Sequence, residues 1–115
     1  MAGMINSRTK GKVAELEVVQ IFKNAGYTKS HRAQQFKGTK DSADIIVPHI
    51  GDVYQLEIKR REQVKIDEWL KKTDEEAGEE KIPVVIHRRN DEPWKVTMML
   101  TDWLADVKGL YPPTE

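Results

Sequence analysis

The 115-residue sequence has no cysteine. This excludes disulfides, thiolate zinc sites, iron–sulfur clusters and cysteine nucleophiles together. Histidine is scarce, and His31, His49 and His87 are too scattered for a close-spaced metal motif. No apolar run approaches the ~20 residues of a membrane span, and the first residues lack the hydrophobic stretch of a signal peptide. Aromatic residues make up only 7% and do not alternate with basic ones, which argues against a single-strand stacking platform. Net charge is absent too, with 19 Lys and Arg against 19 Asp and Glu. What remains is 38% hydrophobic and 33% charged, the composition of a soluble globular domain and not of a disordered tail. The expectation is one domain over 1–115 with loose ends at 1–7 and 110–115, intracellular and cytoplasmic, with no membrane partner. Any metal it holds is expected to be a hard ion on carboxylates.

The zero total hides a segregation. Residues 1–65 carry 12 Lys/Arg against 7 Asp/Glu, and residues 66–115 carry 7 against 12. An electrostatic footprint for nucleic acid needs a local patch and not a global charge, so a neutral chain still admits that partner.

Hydrophobic periodicity predicts a helix over 11–25, ended by Gly26, and an extended segment over 27–36. After a polar loop at 37–43, Asp44 to Val47 reads as a short strand, distorted near Pro48. Gly51-Asp52 signals a tight turn, and 53–59 reads as the next strand. A helix over 62–77 ends at Gly78. Strands follow at 83–87 and 94–100, and a last helix, capped by Thr101, carries Trp103, Leu104 and Val107. The order α-β-β-β-α-β-β-α predicts an α/β fold, a small mixed central sheet flanked by helices. Trp69, Trp94 and Trp103 fall on apolar faces and read as core or dimer contacts.

One constellation carries chemistry. Glu57 and Lys59 lie two apart on a strand and share a face, while Leu56 and Ile58 take the other. A tight hairpin at Gly51-Asp52 would place Asp44 opposite Lys59 and diagonal to Glu57, within the ~7–8 Å of diagonal cross-strand neighbours. Two carboxylates that close repel, and a divalent cation resolves the repulsion. Mg²⁺ takes oxygen ligands, uses one or two carboxylates and keeps several waters. The bland alternative is an exposed salt bridge, disfavoured because the apolar flanks half-bury the strand and make idle charge costly.

SADIIV (42–47) and LEIKRRE (56–62) resemble the PD-(D/E)xK nuclease superfamily. SRTKGKVAELEVVQIFKNAGY (7–27), followed by RAQQFKGTKDSADIIV (32–47), is similar to the archaeal-type Holliday junction resolvases and their phage relatives, and a phage or prokaryotic origin goes with it. Those proteins open with a basic Lys-Gly step and a helix whose glutamate stands four residues after the glycine, here Gly11 and Glu15. The likeness covers about half the chain, residues 7–62. It implies a restriction-endonuclease-like fold with catalytic residues Glu15, Asp44, Glu57 and Lys59. Asp44, Glu57, Glu15 and the Ile58 carbonyl would be metal ligands. It further implies Mg²⁺-dependent hydrolysis of DNA phosphodiesters (Mn²⁺ substituting), branched or four-way DNA as substrate, and a homodimer. Helix position alone does not choose between Glu15 and Glu17; the resemblance selects Glu15. Ala43 stands where the superfamily's name records proline, and Thr39 follows Gly38 where the resolvases tend to carry serine.

Arg8, Lys10, Lys12, Arg32, Lys37, Lys40, Arg60 and Arg61 bracket the proposed site and are candidate phosphate contacts, with the hydroxyl of Thr39. Arg8, Lys10 and Lys12 precede or open the first helix, whose free amides favour anions. The acidic run 74–80 is expected to face away from DNA. Two other readings stay open: a nuclease of the same fold acting on flaps or other DNA structures, and a DNA-binding module without chemistry.

Overall fold

A computed structural model of the chain describes residues 7–33 and 43–114, with only the backbone of Ser7 and Arg8. Helix α1 (Ser7–Asn24) leads to the two-residue strand β1 (His31–Arg32), β2 (Ile45–Ile46) and the single turn α2 (Ile50–Val53). Strand β3 (Tyr54–Arg60), helix α3 (Ile66–Ala77), β4 (Ile82–Arg88), β5 (Lys95–Met98) and helix α4 (Leu100–Leu110) follow.

The centre is a three-stranded mixed sheet in the order β3-β4-β5. β3 and β4 run parallel, from Tyr54 beside Ile82 to Arg60 beside Arg88, and β5 is antiparallel to β4. Parallel neighbours need a crossover, which α3 supplies. β3 and β4 each bury four consecutive residues, as strands covered on both faces must. On one face Leu56, Ile58, Val84 and Ile86 meet Ala14, Val18 and Val19 of α1, together with Ile45 and Val47. Alternation along the strands puts Gln55, Glu57, Lys59, Val85 and His87 on the opposite face. There Trp69 of α3 stacks at a tilt on His87, with ring centroids 6.1 Å apart.

β1 and β2 form a separate antiparallel pair, His31 beside Ile46 and Arg32 beside Ile45. Asp44 joins this pair to the main sheet. Its carbonyl accepts from the Ala33 amide at 3.1 Å, and its own amide donates to the Leu56 carbonyl at 3.2 Å.

The layered α/β arrangement is the expected one, with differences at the joints. α1 starts at Ser7, one turn earlier than its apolar pattern. Only two residues of 27–33 pair as strand. The cap of α4 is Met99, which makes no side-chain cap bond, so Thr101 lies inside the first turn. The largest change is between β2 and β3. Instead of a two-residue turn, Pro48 and the left-handed His49 (φ 72°) redirect the chain into α2. Ile50 packs against the core there, and partial burial of that side chain favours a helical turn over a hairpin. The longer connection moves the register, so Asp44 meets Leu56 and not Lys59. Lys37, Thr39 and Lys40 lie outside the described residues.

Candidate active site

Asp44 stands at the open edge of β3. Its Oδ2 accepts a hydrogen bond from the Ile58 backbone amide at 2.8 Å. Three bonds to two segments thus fix one residue: one to Ala33 after β1, and two to Leu56 and Ile58 of β3. In an extended strand the amide and carbonyl of one residue point to the same side, so the Ile58 carbonyl is directed to the edge that Asp44 occupies. The shifted register still brings Asp44 beside the Glu57–Lys59 segment, through a side-chain bond to the residue between them.

Glu57 is only 9% exposed. Lys59 Nζ lies 3.3 Å from its Oε1. Burial pushes the Glu57 carboxyl above its ordinary range; Lys59 draws it back, Glu76 pushes it up again and Lys72 lowers it. Glu76, on the last turns of α3, is half-buried and near enough to act on Glu57, so the acidic run 74–80 does not face wholly outward.

Glu15 approaches from α1. Arg32 Nε donates to its Oε1 at 2.8 Å, and the Glu15 side chain keeps 12% exposure. Burial raises its pKa, the bond from Arg32 lowers it, the charge of Asp44 raises it and that of Lys59 lowers it. Glu15, Arg32, Asp44 and Lys59 therefore share one electrostatic neighbourhood, and Glu57 joins it through Lys59.

Sequence reasoning left Glu17 as the helix-position alternative to Glu15 and gave it no partner. It holds Arg60 Nη1 at 3.1 Å and Arg88 Nη2 at 2.9 Å. The parallel register sets those two arginines side by side, and their like charges need a common counterion. No local pattern shows this, because Arg60 and Arg88 are 28 residues apart in the chain. Glu15 and Glu17 flank the buried Ala14–Val18 stripe of α1, so one acid serves the β1–β2 side and the other the ends of β3 and β4.

The candidate phosphate contacts divide accordingly. Arg32 and Arg60 are engaged with Glu15 and Glu17. Arg61 is exposed, its guanidinium donating to the Arg60 carbonyl. Lys12 is exposed and Lys10 half-exposed on α1.

A family model described as "Phage putative PDDEXK endonuclease" matches residues 6–111. The chain belongs to this family. It is thereby a PD-(D/E)xK-type nuclease, with DNA as the substrate class, and the match spans α1 to α4. Neither the curated proteins nor the solved structures gave a significant match.

Nucleases of this superfamily usually work with a divalent metal. Among the described residues no three His, Asp or Glu side chains gather around one point. The donors at the β3 edge nonetheless fit a hard cation in kind. Asp44, Glu57 and the Ile58 carbonyl offer only oxygen, and Mg²⁺ needs no more than one or two carboxylates when water completes its shell. The raised pKa of Glu57 points the same way, since a carboxylate held in a desolvated place is stabilised by a cation.

Proposed function

We propose that the protein is a metal-dependent endonuclease that hydrolyses phosphodiesters in branched DNA, in the manner of the Holliday junction resolvases, and acts as a homodimer. The observation that carries the catalytic reading is the Asp44–Ile58 bond. It fixes a carboxylate at the β3 edge next to the Glu57–Lys59 pair, with Glu15 in electrostatic reach. Asp44, Glu57 and the Ile58 carbonyl would hold Mg²⁺ or Mn²⁺, with Glu15 an outer acid. The bound cation supplies Lewis acidity toward the phosphate and lowers the pKa of water. Lys59, kept in place by Glu57, orients the attacking water and offsets the negative charge that builds on the phosphoryl oxygens. Water adds to phosphorus, one P–O bond breaks, and the products are a phosphate monoester and a hydroxyl. Arg32 positions Glu15 and does not itself touch the reacting atoms.

The branched substrate rests on the resemblance of residues 7–62 to resolvases, and a two-fold dimer suits a substrate with two strands to cut. The test is a labelled four-way junction, a flap and a linear duplex incubated with and without Mg²⁺. Cleavage of the junction over the duplex, dependent on Mg²⁺, is the expected result. Asp44→Ala should reduce the rate by about 10²–10⁴-fold while DNA binding persists or tightens, since a negative charge is removed. Metal-dependent cutting retained by Asp44→Ala would overturn the site. A preference for the linear duplex would keep the nuclease and reject the junction.

A further inference from the structure

Helix α4 presents its apolar side outward. On a 3.6-residue repeat Leu100, Trp103, Leu104, Val107 and Leu110, with the C-cap Tyr111, form one stripe a little over ~100° wide. Five of the six are between 39% and 76% exposed, and no residue of α4 is buried. The polar side faces the body instead: Tyr54 Oη donates to Asp106 Oδ2 at 2.6 Å, and Asp102 is half-buried. An 11-residue helix is marginal in water by itself and depends on packing of its apolar face. Among the described residues that face stays largely exposed.

We propose that a second copy of this chain covers it, the two α4 helices packing antiparallel about a two-fold axis. The inference names the contact surface of the homodimer read above and rests on that reading for its symmetry. The stripe carries no charged residue, so it offers nothing to DNA phosphate. Its size suits a partner subunit: the exposed apolar side chains of α4, with Val96 (62% exposed) on the strand leading into it, supply on the order of the 800 Å² per partner of a standard interface. The order of its residues also lets the stripe face a copy of itself. Antiparallel pairing sets Trp103 against the partner's Val107 and Leu100 against the partner's Leu110, large against small at the centre, with Leu104 near the axis. Both copies then present the same patch, as a closed two-fold dimer requires.

Sedimentation velocity of the full chain, without DNA or metal, tests this. The expected species has twice the 13.3 kDa chain mass. The double variant Trp103→Lys with Leu110→Lys should dissociate it, the dimer becoming at least ~100-fold weaker, with an unchanged far-ultraviolet circular dichroism spectrum. Ile21→Lys, at an equally exposed apolar position of α1, should leave the dimer intact. Because the chain has no cysteine, Leu104→Cys introduces a single thiol, and a short bis-maleimide should join the two copies through it; this decides the matter should the double variant misfold. A monomeric wild type overturns the proposal and assigns the stripe to a different protein. So does a dimer that survives the double variant or fails to crosslink at Leu104→Cys. Each result is read without DNA and is therefore separable from the fate of the nuclease reading.

Discussion

Glu57 shows how a candidate site acid is held at a cost to the fold. Burial is the largest influence on it and raises its pKa above 4.5, only partly countered by Lys59. For a carboxyl raised in the folded state, the stabilising contribution is fully present below the unfolded value and is lost as pH rises through the folded one. Its contribution to stability therefore falls as pH rises, and the charged form of Glu57 works against folding. Glu57→Gln keeps the shape and an acceptor for Lys59 but removes the charge. Its melting temperature should rise relative to wild type at pH 7 and converge with it at pH 4, as read by thermal circular dichroism. Junction cleavage should fall by about 10²–10⁴-fold in the same variant. A variant both more stable and inactive separates a functional acid from a structural salt bridge, because loss of a structural bridge would lower the melting temperature. At this scale the sequence was informative: the Glu57–Lys59 spacing on an apolar-flanked strand placed both side chains on one face. It was silent on Arg32 as the partner of Glu15, since 17 residues and a change of element separate them.

Among the elements, α1 does more than cover the sheet. Glu17 ties it to the ends of β3 and β4 through Arg60 and Arg88, and Trp94 lies under the Arg88 guanidinium at 5.2 Å from the ring centroid. Glu17→Ala leaves two partly buried arginines without their counterion. Breaking a fully buried pair costs about 3–5 kcal/mol; with side chains 13–34% exposed the expected loss is about 1–3 kcal/mol, read from urea denaturation. Helices and strands with strong periodicity were legible: α3, β3 and β4 fall within a few residues of their apolar patterns. The β2–β3 connection was not. Gly51-Asp52 is a good local turn signal, but the packing of the partly buried Ile50 against the core is a tertiary reward that no turn dipeptide announces. The register followed that reward, and Asp44 reached the site by bonding the Ile58 amide instead of facing Lys59.

For the whole molecule, the segregated charge sets how DNA binding responds to salt. Eight basic residues bracket the site in the sequence, yet Arg32 and Arg60 neutralise Glu15 and Glu17 within the fold. Each phosphate contact contributes about −0.9 to the slope of log affinity against log salt. Arg61→Ala should make that slope shallower by about 0.9, whereas Arg60→Ala should leave it unchanged, as measured by fluorescence anisotropy over a salt series. By itself the sequence showed which chemical groups are at hand: no thiol, no histidine cluster, an acid and an ammonium two apart on one apolar-flanked strand and a second acid opening another, because residue type and a two-residue period are local properties. Tertiary structure alone decided which charges are spent internally, how Asp44 is aimed, and that α4 turns its apolar stripe outward. Those depend on contacts between segments far apart in the chain, where burial outweighs any local preference.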